Sequence, residues 1–245
     1  MLELLGAPAA TYVPVFSRDP RDIPTYGIAQ AARYLGLSET ALRQWVVGRR
    51  YPTRAGVGFS VPLVKLPDPA KPRLSFTNLV EVYVLASLRR EHRIEMRKIR
   101  EALRYLEEKL GSEHPLATEQ LESFGGSLFI KKYGQLIDLP EDGQTAIQEV
   151  LRPYLRRIEH GAGGLAERFF PLRRTAGADS PRVVVIDPYV SFGKPTVAGT
   201  GVSVAILIAR FRSGEALADL ADDYDMTLPQ VEEAIRYGLP DELAA

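Results

Sequence analysis

Between Tyr26 and Val47 the apolar positions fall into two short helical sets. Ile28, Ala31, Ala32 and Leu35 share one face of a first helix, predicted around residues 27–34. Gly36-Leu37 follows as a turn, because glycine takes a positive φ at low cost. Ser38 predicts an N-cap, and Glu39 in the next turn complements the helix dipole. Ala41, Leu42 and Trp45 form the apolar side of the second helix, leaving Thr40, Arg43 and Gln44 to point elsewhere. Helix, glycine-containing turn, cap and helix is the order of a helix-turn-helix. After Gly48-Arg49-Arg50-Tyr51-Pro52, the alternation of Val57, Phe59, Val61 and Leu63 among glycines predicts a β-hairpin wing.

Pro67 to Pro72 reads as a linker. A helical pattern resumes from Thr77 to Glu91, with Leu79, Tyr83 and Ala86 among its apolar residues. A break at His92–Ile94 leads to another helix, whose strip Ile99, Leu103, Leu106 and Leu110 serves either a core or a dimer surface; Gly111 ends it. In the middle of the chain, Ser127–Lys131 and Gln135–Leu139 are expected to be strands around Tyr133-Gly134. Gly143–Ile158 is expected to be a helix kinked or split by Pro153. Ala162 to Ser180 is expected to be irregular, although Phe169, Phe170 and Leu172 argue against a solvated linker, and a boundary falls around Thr175–Pro181. Val183–Ile186 predicts a strand, followed by a loop rich in proline and glycine. Helices are predicted at Val204–Arg212, Glu215–Asp223 and Leu228–Tyr237, the last opened by a Thr227–Gln230 capping box. The expected fold is mainly α with small β elements. It comprises a winged helix-turn-helix domain at residues 1–111, a small α+β middle region at 112–180, and an acidic three-helix, helix-turn-helix-like domain at 181–245.

The absence of cysteine excludes a disulfide framework and thiolate metal sites. No apolar run approaches the length of a membrane span and no leader is read at the start, so a soluble, cytoplasmic protein is expected. The 31 basic and 31 acidic residues cancel, but unevenly. Residues 1–110 carry 18 Lys/Arg against 11 Asp/Glu, a net of +7; residues 111–182 carry 9 against 10; residues 183–245 carry 4 against 10, a net of −6. That asymmetry points to two partners, one polyanionic and one basic.

A recognition helix needs side chains that read base edges and basic neighbours that hold phosphates. Arg43 and Gln44 suit the first task, Arg with guanine and Gln with adenine. Arg49, Arg50 and Arg54 suit the second, while Ser38 and Thr40 open the helix beside them. Duplex DNA is therefore the expected first partner, and Trp45 is assigned to the core. Arg89, Arg90, Arg93, Arg97, Lys98, Arg100 and Arg104 form a basic cluster that either grips phosphate or is a solvated face. The last helices carry Asp222, Asp223, Asp225, Glu232 and Glu233, which phosphate would repel, so a protein-binding or dimerising role fits them better. His92, His114 and His160 are scattered, lack metal-ligand spacing and are expected at the surface. Gly161-Ala162-Gly163-Gly164 lacks the Lys-Ser/Thr of a phosphate loop. No catalytic set, cofactor or metal is expected.

The run Tyr26-Gly27-Ile28-Ala29-Gln30-Ala31-Ala32-Arg33-Tyr34-Leu35-Gly36-Leu37-Ser38, followed by Leu42-Arg43-Gln44-Trp45, resembles the opening of MerR-like winged helix-turn-helix regulators. Ile186-Asp187-Pro188-Tyr189-Val190-Ser191-Phe192-Gly193-Lys194-Pro195, then Val197-Ala198-Gly199-Thr200, Tyr224 and Leu228-Pro229-Gln230-Val231, resembles domain-of-unknown-function family 433, with Gly201 where that family usually has arginine. A MerR-like head joined to such a tail resembles a VapB-type antitoxin. The resemblance implies a repressor of its own operon that sequesters a PIN-like ribonuclease toxin; a homodimer on DNA is expected because one recognition helix spans only a few base pairs. Because aromatics usually anchor interfaces, Tyr189 and Phe192 on the Gly/Pro-rich loop are the candidate partner anchors, unless Phe192 is core and the loop packs on the helices, and Lys194 or Arg212 could reach an acidic metal centre of such a nuclease. The alternative is a stand-alone MerR-like transcription factor whose C-terminal module dimerises or senses a ligand.

Overall fold

The computed structural model describes residues 19–54, 56–91, 96–136, 141–172 and 180–239. It is mainly α-helical, with small antiparallel two-stranded sheets. Helices α1 (Ile28–Leu35) and α2 (Glu39–Val46) form the expected helix-turn-helix. Ile28, Ala31, Ala32 and Leu35 are buried along one face of α1, and Gly36 stops that helix with φ +62°. Ser38 caps α2, its Oγ accepting from the Ala41 amide at 3.3 Å, and Leu42, Trp45 and Val46 are buried. The wing is the hairpin of β2 (Arg49–Thr53) and β3 (Gly56–Ser60), with Arg49 opposite Ser60 and Arg50 opposite Phe59. The proline-rich segment that follows returns the chain so that β4 (Arg73–Leu74) pairs with β1 (Tyr26–Gly27) beside the start of α1.

Helix α3 (Phe76–Glu91) is the hub. Every residue from Leu74 to Leu88 is buried, so this helix has no solvent face over that length. Its buried Thr77, Asn78, Glu81 and Ser87 side chains are accordingly hydrogen-bonded within the protein. Asn78 Nδ2 donates to the Lys65 carbonyl at 3.0 Å and to Glu81 Oε2 at 3.1 Å, while Ser87 Oγ donates to the Val84 carbonyl at 2.6 Å. Around α3 pack α1, α6 (Glu141–Leu155) and the hairpin of β5 (Ile158–His160) and β6 (Ala166–Phe169). Tyr83 meets the Phe169 ring at 5.0 Å and the Tyr154 ring at 5.7 Å. Helix α4 (Met96–Leu110) buries Ile99, Leu103 and Leu106 inside the chain, which makes that strip core rather than dimer surface.

Four expectations for the middle region are corrected. The two strands foreseen around Tyr133-Gly134 are one helix, α5 (Gly126–Leu136), packed on α4 and α6; residues 137–139 lie outside the described ones. Phe129, Ile130 and Tyr133 form its buried face, a set short enough to fit either period. Gly134 marks close approach of helices, not a turn, since a Cβ there would sit 2.7 Å from the Gln144 side chain. Helix α6 continues through Pro153 to Leu155. The stretch foreseen as irregular contains β6, and the glycine run is its hairpin loop, with Gly164 at φ +68°. His114 and His160 are half-buried rather than surface residues, and His92 lies outside the described residues.

The last part of the chain builds a second core. β7 (Val184–Val185) pairs with β8 (Thr196–Val197), and α7 (Val204–Arg212), α8 (Leu217–Asp223) and α9 (Leu228–Gly238) close over Val184, Val197, Val204, Leu207, Leu220, Val231 and Ile235. The Thr227 amide donates to Gln230 Oε1 at 2.9 Å in the expected capping box. Ile186 belongs to the first core, and its amide and carbonyl pair with those of Phe169 at 2.9 and 3.1 Å. The buried Arg157 reinforces this seam from the middle region, reaching the carbonyls of Phe170 and Ser180. No helix among the described residues is long and apolar enough to cross a membrane.

One titrating group reports on the packing of α3. His114 Nδ1 lies 3.2 Å from Glu81 Oε2, and that carboxylate holds the imidazole above its ordinary pKa while burial opposes the shift. A raised folded-state pKa contributes stability that is complete below the unfolded value of about 6.5 and is lost as pH rises through the folded value. The loss of urea stability in His114→Gln relative to the native chain should be larger at about pH 6 than at about pH 8.5. A pH-independent difference would show that the pair contributes nothing.

Candidate nucleic-acid and partner surfaces

Helix α2 turns Glu39, Thr40 and Arg43 to solvent, with Gln44 half-buried beside them. Arg43 Nη2 lies 3.0 Å from Glu39 Oε1, an exposed i,i+4 pair of small energetic weight. Arg49, Arg50 and Arg54 are exposed on the hairpin. Between Glu39 and Asp68 the chain carries no acidic residue, so α2 and the wing present a cationic surface with one carboxylate at its edge. The fold thus brings the expected reading and phosphate-holding residues onto consecutive exposed elements. Ser38 serves them structurally, as the cap that starts α2.

The apolar alternation of the wing forms the hairpin but does not face a core. Val57, Phe59 and Val61 are 75%, 54% and 49% exposed. The wing is fastened instead at its base, where Leu63 and Val64 amides donate to the Trp45 carbonyl at 2.7 and 3.2 Å. Arg100 of α4 donates to Ser60 Oγ at 3.1 Å and to the Val61 carbonyl at 2.7 Å. Burial, with Arg104 nearby, holds the Arg100 guanidinium below its ordinary pKa. Sequence reasoning placed Arg100 in a basic cluster and missed this fastening role, for which no local pattern is a signal. Arg97 and Arg104 of that cluster are exposed and Lys98 half-buried; the side chains of Arg89, Arg90 and Arg93 lie outside the described set.

On the other unit, the loop between β7 and β8 carries three successive residues at positive φ: Ser191 at +49°, Phe192 at +56° and Gly193 at +71°. The cause lies beneath the loop. Tyr26, buried against α1, donates from Oη to the Gly193 carbonyl at 3.0 Å, and a Cβ on Gly193 would stand 1.9 Å from that oxygen. Burial holds the Tyr26 phenol well above its ordinary pKa, so it remains a donor. The pinned backbone turns Phe192 outward, 83% exposed, which removes the core reading of that ring. Tyr189 is 57% exposed, and its hydroxyl donates to Asp19 Oδ1 at 3.2 Å. Lys194 and Arg212 are brought together across a cleft whose other wall includes Arg33 and Tyr34 of α1. Gly201 takes φ +71° in an exposed turn, a conformation arginine would adopt only with strain. Among the described residues no group of three or more His, Asp and Glu side chains is placed to hold a metal ion. Of the Asp222-Asp223 pair, Asp223 is engaged by Arg210 at 2.5 Å.

Compared with known protein families, residues 24–103 match the family described as "Putative DNA-binding HTH domain", and residues 184–238 match that described as "Protein of unknown function (DUF433)". The chain is a helix-turn-helix protein of the DNA-binding class that carries a DUF433 unit after its first core. It is 32% identical over 231 residues to "Putative antitoxin VapB45" of Mycobacterium tuberculosis (strain ATCC 25618 / H37Rv), a match covering 87% of this chain and 93% of the relative. The chain belongs to the family of that protein. A second relative from the same organism, "Uncharacterized protein Rv2308", is 25% identical over 225 residues, covering 88% of this chain and 90% of its own length. The crystal structure of Rv2018 from Mycobacterium tuberculosis matches with a TM-score of 0.65 at 26% identity, covering 87% of this chain and 98% of that one.

The Tyr26–Gly193 contact yields a graded stability test. Tyr26→Phe removes one buried hydrogen bond and should cost about 1 kcal/mol in urea unfolding. Gly193→Ala adds both a clash and left-handed strain, and should cost roughly 2–4 kcal/mol. Equal costs for the two variants would mean that the loop rises away from Tyr26 without penalty.

Proposed function

We propose that this chain is the antitoxin of a type II toxin–antitoxin pair, a non-enzymatic regulator that represses its own operon and neutralises a PIN-like ribonuclease by direct contact. The observation that carries the reading is the joining, in one chain, of a capped helix-turn-helix with a cationic wing to an acidic unit that presents the exposed Tyr189 and the exposed, strained Phe192. The antitoxin name of the relative at 32% identity supports it along nearly the whole chain. In this reading residues 1–111 carry DNA binding, residues 181–245 carry partner binding, and residues 112–180 lie between them.

On the operator, α2 enters the major groove. Arg43 exchanges Glu39 for a guanine edge, Gln44 pairs with adenine, and Arg49, Arg50 and Arg54 hold phosphates beside Ser38 and Thr40. Two copies bind as a homodimer, since one recognition helix spans only a few base pairs. On the toxin, the acidic surface of residues 183–245 steers toward the basic rim of an RNA-binding enzyme. Tyr189 and Phe192 anchor the contact, with Lys194 and Arg212 placed to reach an acidic metal centre. Backbone strain held at an exposed aromatic is a feature of binding sites, where the surrounding structure over-determines it. A second reading, a stand-alone transcription factor whose last unit senses a small molecule, draws on the cleft between α1 and α7.

Arg43→Ala should lower affinity for promoter DNA by about 1–3 kcal/mol with little effect on an unrelated duplex. Arg49→Ala combined with Arg50→Ala should weaken both duplexes alike and flatten the salt dependence. Fluorescence anisotropy over a salt series separates the two effects, and native affinity in both variants would exclude α2 and the wing as the interface. For the partner, truncation before Val184 is a poor test, because it strips Ile186 from the first core. Phe192→Gly is a better one. It relieves positive φ, so thermal stability should stay level or rise, while co-purification with the product of the neighbouring reading frame should fall at least tenfold. Full capture by a folded Phe192→Gly protein would remove Phe192 from the toxin surface.

A further inference from the structure

A cleft of about 450 Å³ lies where the end of α1 meets α7, the end of α9 and the Lys194-Pro195 segment. Its floor is apolar, formed by Tyr34, Val204, Ile208 and Tyr237, and the DNA-binding and toxin-binding readings leave that interior unused. The floor is also fixed. Tyr237 Oη donates to the Tyr34 carbonyl at 2.8 Å, latching α9 to α1. Gly238 brings α9 so close to α7 that a Cβ there would stand 2.0 Å from Ile208 Cδ1. Ala205 and Ala209, small and exposed along α7, keep the mouth open.

The charge of this cleft runs against its surroundings. Residues 183–245 carry only 4 Lys/Arg against 10 Asp/Glu, yet among the described residues no acidic one lines the cleft. Two of those four cations are neutralised locally: Arg210 by Glu215 and Asp223, and Arg236 by Glu233 at 2.5 Å. The other two, Lys194 and Arg212, both line the cleft, and Arg33 joins them from the helix-turn-helix. All three are exposed, and none is ion-paired with a described residue. Arg33 stands 6.0 Å from the Tyr34 ring centroid, at the edge of the apolar floor.

We propose that this cleft binds a small amphipathic organic anion, with its apolar body on the Tyr34–Ile208–Tyr237 floor and its carboxylate held by the cationic rim. A bare phosphate would leave the floor wet, and a neutral apolar molecule would leave the cations unanswered. A ligand with both parts satisfies both surfaces. The volume lies within the roughly 300–1,000 Å³ of small-molecule sites, and guanidinium groups suit planar carboxylates. The ligand would touch the DNA-binding and C-terminal units at once, a turn of helix away from Gly36 and the start of α2. This site does not depend on the toxin reading, although it shares Lys194 and Arg212 with it.

The test is isothermal titration calorimetry on the full chain without DNA or partner, using octanoate, octan-1-ol and inorganic phosphate as probes. Octanoate should bind at a single site, with octan-1-ol and phosphate each weaker by about tenfold or more. Arg33→Gln combined with Arg212→Gln should weaken octanoate by about tenfold or more. Ala205→Trp should abolish binding by filling the mouth, with Ala209→Phe as the second choice if that variant misfolds. Equal binding of octanoate and octan-1-ol, or of octanoate and phosphate, overturns the proposal. So does native octanoate binding in the double glutamine variant; a loss confined to promoter affinity in that variant would make the cations phosphate anchors.

Discussion

The structure depends on burying one helix on every side. A surface helix keeps a polar stripe for water, but from Leu74 to Leu88 the chain around α3 offers none. Each direction around it must therefore be covered by another element: α1 and the β1–β4 pair, α6, and the β5–β6 hairpin. This requirement explains why the helix-turn-helix and the middle region share one core, and why Asn78, Glu81 and Ser87 are paired inside it. An unpaired carboxylate at Glu81 would be costly there, which gives His114 a structural rather than a chemical part.

The second core is joined to the first by a few specific contacts. Ile186 lends its side chain to one core while its neighbours Val184 and Val185 pair in the sheet of the other. Tyr26 reaches the loop at Gly193, and Tyr237 reaches the end of α1 at Tyr34. These are long-range hydrogen bonds between a phenol and a backbone carbonyl, each buried or half-buried. Such contacts set orientation more than they add stability. They place the strained Phe192 loop and the α7 cleft at fixed positions beside α1, the helix that precedes α2.

Charge is distributed by function of neighbourhood rather than by net count. The arginines of the wing have no ion-pair partner among the described residues and Arg43 of α2 pairs only with Glu39 of its own helix, whereas Arg210 of α7 and Arg236 of α9 are paired within the acidic unit. Arg100, read in isolation as one more surface cation, is consumed by the carbonyl and hydroxyl at the base of the wing. Net charge by segment thus points to two surfaces of opposite sign, and pairing decides which individual cations remain available to a ligand.

Local pattern determined most of the helices. The Ile28–Leu35 periodicity, Gly36, the Ser38 cap, the Ile99–Leu106 strip and the Thr227–Gln230 capping box act within a turn or two of chain, so the sequence by itself specifies α1, α2, α4 and α7 to α9. Residues 126–136 carried too few apolar positions to separate helix from strand, and packing against α4 and α6 settled the matter. The pairs β1–β4 and β7–β8 involve two residues a side, too short for any alternation to register. The exposure of Val57 and Phe59, the outward turn of Phe192 over Tyr26, and the meeting of Arg33, Lys194 and Arg212 were decided by tertiary structure alone. Each depends on groups far apart in the chain, and no local pattern encodes which distant surface a side chain will meet.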